Sequence, residues 1–121
     1  MKNKKMMVKI PFINNGVKYK MCTTDEFIQY LIDNNHDELE KIYIKYGWQN
    51  NIDFKKVYQA IKDIEVKDDY IHNILGLIYK AGWIGVKDYT KALYHYQLSA
   101  EQNNSWAQFN LGYMYGCGEG V

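Results

Sequence analysis

The feature that most constrains this chain is a short signature that returns at a constant interval. Leu75-Gly76-Leu77-Ile78-Tyr79 reappears 36 residues later as Leu111-Gly112-Tyr113-Met114-Tyr115. A weaker copy, Leu39-Glu40-Lys41-Ile42-Tyr43, lies 36 residues upstream. A constant period of tens of residues marks stacked units, each of which buries its apolar face only against its neighbours. Ala107, Leu111, Met114 and Tyr115 recur at the spacing of one helical face. A glycine inside such a helix costs about 1 kcal/mol relative to alanine. Gly76 and Gly112 are therefore expected where a neighbouring helix approaches closely.

The rest of the chain falls into helix pairs with short connections, which make antiparallel neighbours. Thr23 with Glu26 opens a first helix with Phe27, Ile28 and Leu31 inward. Asn35 with Glu38 opens a second carrying Leu39, Ile42, Tyr43 and Tyr46, broken at Gly47. Asp53 starts a third, with Phe54, Val57, Tyr58, Ile61 and Ile64 on one face, and a fourth runs from near Asp68 to Lys80. Asp88 caps a fifth, inward-facing at Tyr89, Ala92, Leu93, Tyr96 and Ala100. Asn103 and Asn104 suit left-handed or capping geometry before the sixth. Val57-Tyr58 also returns 36 residues on, as Leu93-Tyr94. Ahead of the helices, Val8, Ile10, Phe12 and then Val17, Tyr19, Met21 alternate around Asn14-Asn15-Gly16, which predicts a β-hairpin with Pro11 on an edge.

The predicted fold is all-α. It is an α/α superhelix, or solenoid, of antiparallel helix pairs, about three repeat units with the last incomplete, preceded by a short N-terminal β-hairpin. Residues 1–22 form the hairpin or an extended segment and residues 23–121 the solenoid. A degenerate unit lies near 35–66, and clearer units span 71–106 and 107–121.

Residues 71–121 resemble the Sel-1-like repeat, a relative of the tetratricopeptide repeat. The resemblance rests on Leu75, Gly76, Tyr79, Gly82, Asp88, Lys91, Ala92, Tyr96, Ala100, Glu101 and Gln102 in one copy, and on Ala107, Leu111, Gly112, Tyr115, Gly118, Gly120 and Val121 in the next. The first copy departs at Ile71, at Trp83-Ile84-Gly85-Val86, at Ser99 and at Asn103. The resemblance implies a superhelix in which the first helix of each pair lines an inner surface. It also implies a non-catalytic adaptor or scaffold that binds other proteins.

Composition narrows the remaining classes. A formal charge of +1 supplies no field for nucleic acid, and the 15 basic residues are all lysine, so the best bidentate phosphate binder is absent. No apolar run is long enough for a membrane span, and Lys9 and Pro11 interrupt any signal-peptide core. Cys22 and Cys117 lie far apart and read as free thiols, which points to a cytoplasmic, intracellular protein. His36, His72 and His95 lack ligand spacing, so no metal is expected, and no cofactor either. His72 and His95 read as solvent-facing or hydrogen-bonded helix residues. Asp63, Glu65, Asp68 and Asp69 read as a solvated capping cluster. Gly116-Cys117-Gly118-Glu119-Gly120 follows a helix and lacks Lys-Ser/Thr, which excludes a phosphate loop. No nucleophile–base pair points to an enzyme.

On the inner face, the register places Tyr70, Asn73, Ile74 and Leu77 on the fourth helix beside Trp106, Phe109, Asn110 and Tyr113 on the sixth. Tyr70, Asn73, Leu77, Trp106, Asn110 and Tyr113 are the expected partner-binding residues, the aromatics as anchors and the asparagines as clamps on a peptide backbone. Phe109 reads more readily as core, and Trp106 equally well as core or surface. The expected partner is a protein or peptide, with no nucleic acid and no membrane. A self-associating element using an uncovered stripe on the final helix is the alternative, and an enzyme the least favoured class.

Overall fold

The computed structural model describes residues 7–9, 18–20, 22–41 and 52–121. Two strands, β1 (Met7–Lys9) and β2 (Lys18–Lys20), pair antiparallel with Met7 opposite Lys20. The expected turn at Asn14-Asn15-Gly16 lies outside the described residues, as do Ile42, Tyr43, Tyr46 and Gly47. Six helices follow among the described residues: α1 (Thr24–Ile32), α2 (His36–Glu40), α3 (Phe54–Ile61), α4 (Asp69–Ala81), α5 (Tyr89–Glu101) and α6 (Ser105–Cys117). No helix among them is long and apolar enough to cross a membrane. The chain divides into two compact units, Met1–Asp53 and Phe54–Val121.

In the first unit, α1 starts where Thr23 accepts from the Glu26 amide while the Glu26 carboxylate accepts from the Thr23 amide, the reciprocal box read from the sequence. Phe27 and Leu31 are buried one turn apart. Asn35 caps α2 by accepting from the Glu38 amide, and Leu39 is its buried residue.

The second unit carries the repeat, and its helix ends repeat as closely as its signature. Asp68 and Asn104 cap α4 and α6, and each accepts from the amide three residues on. At the other end Gly82 and Gly118 close the same two helices in the left-handed region, at φ 76° and 71°. Both caps and both stops are 36 residues apart, so α4 and α6 are equivalent helices in equivalent frames. Helices α3 and α5 follow a slightly different interval. Val57 and Ile61 are the fully buried pair of α3, and Ala92 and Tyr96 that of α5, which sets their spacing at 35 residues. The pairing of Val57-Tyr58 with Leu93-Tyr94 expected from a uniform period is thus off by one. Ile64 lies past the end of α3, which stops at Ile61.

Helix α5 runs antiparallel to α4. Ser99 near its end donates to the Asp69 carbonyl at 2.7 Å, and the Asp88 amide at its start donates to the Tyr79 carbonyl at 2.9 Å. It is antiparallel to α6 as well: Gln108 donates to the Ala100 carbonyl, and Gly120 comes against Leu93 and Tyr89. Ala92, Tyr96, Ala107 and Met114 form the buried cluster between α5 and α6, with Tyr79, Tyr89, Leu93, Ala100 and Leu111 packed around it. Gly76 behaves as expected. A Cβ there would lie 2.6 Å from Tyr96 Cδ1, so the glycine exists to admit the ring. Gly112 does not behave as expected. A Cβ at that position would meet nothing within 4 Å among the described residues, because no described helix packs on that side of α6. Tyr115, placed with the inward face by periodicity, is exposed for the same reason.

Candidate partner-binding face

Helices α4 and α6 lie side by side and parallel, cross-linked at successive levels. Near their starts Asn104 donates through Nδ2 to Asp69 Oδ2 at 3.0 Å, while its Oδ1 caps α6. One side chain thus begins one helix and ties it to the next. One turn on, Asn110 Nδ2 donates to Asn73 Oδ1 at 3.3 Å. Towards the ends, the Lys80 ammonium sits 5.1 Å from the centre of the Tyr113 ring and 3.9 Å from a Glu119 oxygen. An ammonium over a phenol ring is attracted by the ring's negative face.

These bonds bring the expected residues onto one surface. Asn73 and Asn110 meet directly, Tyr70 and Leu77 are half-buried on α4, and Trp106 and Tyr113 stand 47% and 53% exposed on α6. Two placements differ from the sequence expectation. Ile74 is buried at 4% exposure, so it belongs to the core of α4 and not to the face. Phe109, read as core, is 69% exposed. Its equivalent on α4 is Asn73, which is half-buried.

The asparagines are engaged with each other, yet an amide has two donors and two acceptor lone pairs. The pair therefore keeps unused capacity for a backbone N–H and C=O laid across it. The Tyr113 hydroxyl is held above the ordinary phenol range, chiefly by its hydrogen bond with Cys117 one turn away. It stays neutral and able to donate.

A second cluster, on the α4–α5 side, escaped the sequence reading. His72 and His95 face each other with their Nδ1 atoms 3.0 Å apart and rings stacked at 5.3 Å. Tyr79 stacks on the other side of His95 at 5.6 Å, and its hydroxyl lies 3.2 Å from that of Tyr58. Burial lowers the basicity of both imidazoles, with Lys67 adding to it at His72, and with His72, Lys67 and Lys91 adding to it at His95, which falls to about 4. Burial also pushes Tyr79 up to about 12, with the Tyr58 hydrogen bond contributing. His72, His95 and Tyr79 are therefore neutral at pH 7. The pair supplies two nitrogen donors, already bonded to one another, where a closed zinc site uses four ligands. The available signal was positional: residues about equally far on either side of the 82–88 turn meet across an antiparallel hairpin. Spacing rules for a single helix do not see that pairing.

The acidic run divides as well. Asp68 caps α4, Asp69 holds Asn104, and Asp63 pairs with Lys62 at the surface. Cys22 is buried, Cys117 is exposed, and both are thiols. Compared with protein-family models, with curated proteins and with solved structures, the chain matches none.

Proposed function

We propose that residues 71–121 are units of a Sel-1-like solenoid and that the α4–α6 face binds a peptide or a partner protein without catalysing a reaction. The observation that carries this reading is the parallel pairing of two equivalent helices. It sets Asn73 against Asn110 and leaves Trp106 and Tyr113 standing beside them. Exposed aromatic rings on a rigid support lose little conformational freedom when covered, which makes them effective anchors. The amide pair between them can hold an extended backbone, so that rings select side chains and amides set register. Free thiols fit an intracellular setting for such an adaptor.

The test is selection of binders from a displayed random-peptide library on the full chain, followed by fluorescence anisotropy with the enriched peptides. Trp106→Ala and Tyr113→Ala each weaken binding by roughly tenfold or more, the loss usual for an aromatic anchor. Far-UV circular dichroism stays unchanged, because neither ring is part of the buried cluster. Peptides whose affinity ignores both substitutions would place the binding surface elsewhere.

A further inference from the structure

His72 on α4 and His95 on α5 are brought together by the fold with their Nδ1 atoms 3.0 Å apart. In the protein alone this is a hydrogen bond, with one Nδ1–H donating to the other Nδ1. The same separation also matches two ligands on one metal ion. Imidazole nitrogen binds a divalent metal such as zinc at about 2.0–2.1 Å. Two such bonds ending on nitrogens 3.0 Å apart enclose an angle of about 91–97°. A tetrahedral pair with the same bond lengths needs nitrogens about 3.3–3.4 Å apart. The observed spacing is thus that of neighbouring corners in a tetragonal site, the geometry of copper(II) and nickel(II) with nitrogen and oxygen ligands.

The two rings are held from both ends of the hairpin. Ser99 of α5 donates to the Asp69 carbonyl beyond one side of the pair, and the Asp88 amide donates to the Tyr79 carbonyl beyond the other. Tyr79 stacks on His95 at 5.6 Å and Tyr94 meets it edge-on at 5.1 Å. Rotation of each imidazole about its soft terminal torsion turns the two lone pairs towards a common point. Both residues are only partly buried, so water has access to the remaining coordination positions. We infer that His72 and His95 form a two-imidazole chelate, bridging α4 and α5, for a divalent ion of the copper(II) or nickel(II) class. The imidazole that donated moves its proton from Nδ1 to Nε2, so both ligands bind as neutral rings and no net proton is released. The Lys67 and Lys91 ammonium groups act on the pair and oppose a cation, and the Asp68 carboxylate acting on His72 offsets part of that. With two protein ligands the site is weaker than a closed four-ligand one. Its effect is to staple α5 to α4, and it is independent of the α4–α6 face.

The full chain, without a histidine tag, is dialysed to equilibrium against nickel(II) chloride and the bound metal is counted by mass spectrometry. Saturation at one ion per chain is expected. The affinity falls by roughly tenfold or more in His72→Gln and in His95→Gln, and is unchanged in His36→Gln and in Cys117→Ser. Added nickel raises the melting temperature of the parent and leaves that of both glutamine variants where it was. A glutamine variant that failed to fold would also lose the metal, so a second measurement keeps both histidines in place. Cys117→Ser, which removes the exposed thiol, receives one equivalent of copper(II). Its electron paramagnetic resonance spectrum should show coupling to two imidazole nitrogens. Absence of saturable nickel binding would overturn the inference, as would binding that survives both glutamine substitutions. Loss confined to His36→Gln or Cys117→Ser would place the ion elsewhere and overturn it equally. A copper spectrum without nitrogen coupling, or zinc(II) held more tightly than nickel(II), would refute the tetragonal chelate.

Discussion

Alanine at Gly76 and alanine at Gly112 are the same change in the same frame of two equivalent helices, and they should act in opposite directions. Each replaces a helix-interior glycine and so stabilises its helix by about 1 kcal/mol. At Gly112 nothing among the described residues opposes that gain, because the new methyl group meets none of their atoms within 4 Å. At Gly76 the methyl would sit 2.6 Å, 2.7 Å and 3.0 Å from three carbons of the Tyr96 ring. That ring has no exposed surface and is wedged among Ala92, Ala107 and Met114, so it has nowhere to turn. Overpacking of this kind costs about 1–3 kcal/mol. The propensity gain cancels when the two variants are compared, so the difference between them measures the overlap alone. Urea unfolding followed by far-UV circular dichroism should place the midpoint of Gly112→Ala above that of the parent, and that of Gly76→Ala below Gly112→Ala by the equivalent of about 1–3 kcal/mol. Equal midpoints, or a Gly76→Ala variant as stable as Gly112→Ala, would refute the claim that Tyr96 occupies the glycine slot.

Three further outcomes follow from the same contacts. The His95 imidazole is held at about 4 against an ordinary 6.5, so its contribution to stability is complete above about pH 6.5 and is lost as pH falls towards 4. Allowing for its partial exposure, this amounts to roughly 1–2 kcal/mol, and His72, lowered in the same direction, adds to it. The unfolding free energy of the parent minus that of His95→Gln should therefore shrink between pH 7 and pH 4.5, and a constant difference would contradict the neutral pair. Asn104→Ala removes both a cap and the bond to Asp69, and a loss of about 1–2 kcal/mol in urea titration is expected, with a loss under about 0.3 kcal/mol counting against it. Ser99→Ala deletes a buried donor to the Asp69 carbonyl, for a loss of about 1 kcal/mol by the same assay.

Much of the helical framework was legible because capping is local. Thr23, Asn35, Asp68, Asp88 and Asn104 each accept from the amide three residues on, and each was readable from its own short stretch. The close approach at Gly76 was readable too, since a glycine inside a helix has few other reasons to be there. What a repeat cannot report is whether the next neighbour is present. Gly112 carries the same signature as Gly76, but its slot is open, and Tyr115 and Phe109 are exposed with it. Periodicity marks a face as apolar and stays silent about what covers it. Among the residues expected on the inner face, Asn73 meets Asn110 although the 36-residue register sets it level with Phe109, and Ile74 is buried in the core of α4. The His72–His95 contact depends on how α5 folds back on α4, a relation between two helices that no window along one of them contains.

The most direct measurement on the proposed partner-binding face is contact mapping of a selected peptide. A photoreactive phenylalanine analogue is placed in turn at Leu77, at Tyr113 and at Gln97, an exposed position on α5. Each full-length variant is irradiated with the peptide and the products are read by mass spectrometry. Cross-links from positions 77 and 113, with none above background from 97, are the predicted result. Cross-links concentrated at 97, with 77 and 113 silent, would contradict the assignment of binding to the paired α4 and α6 helices.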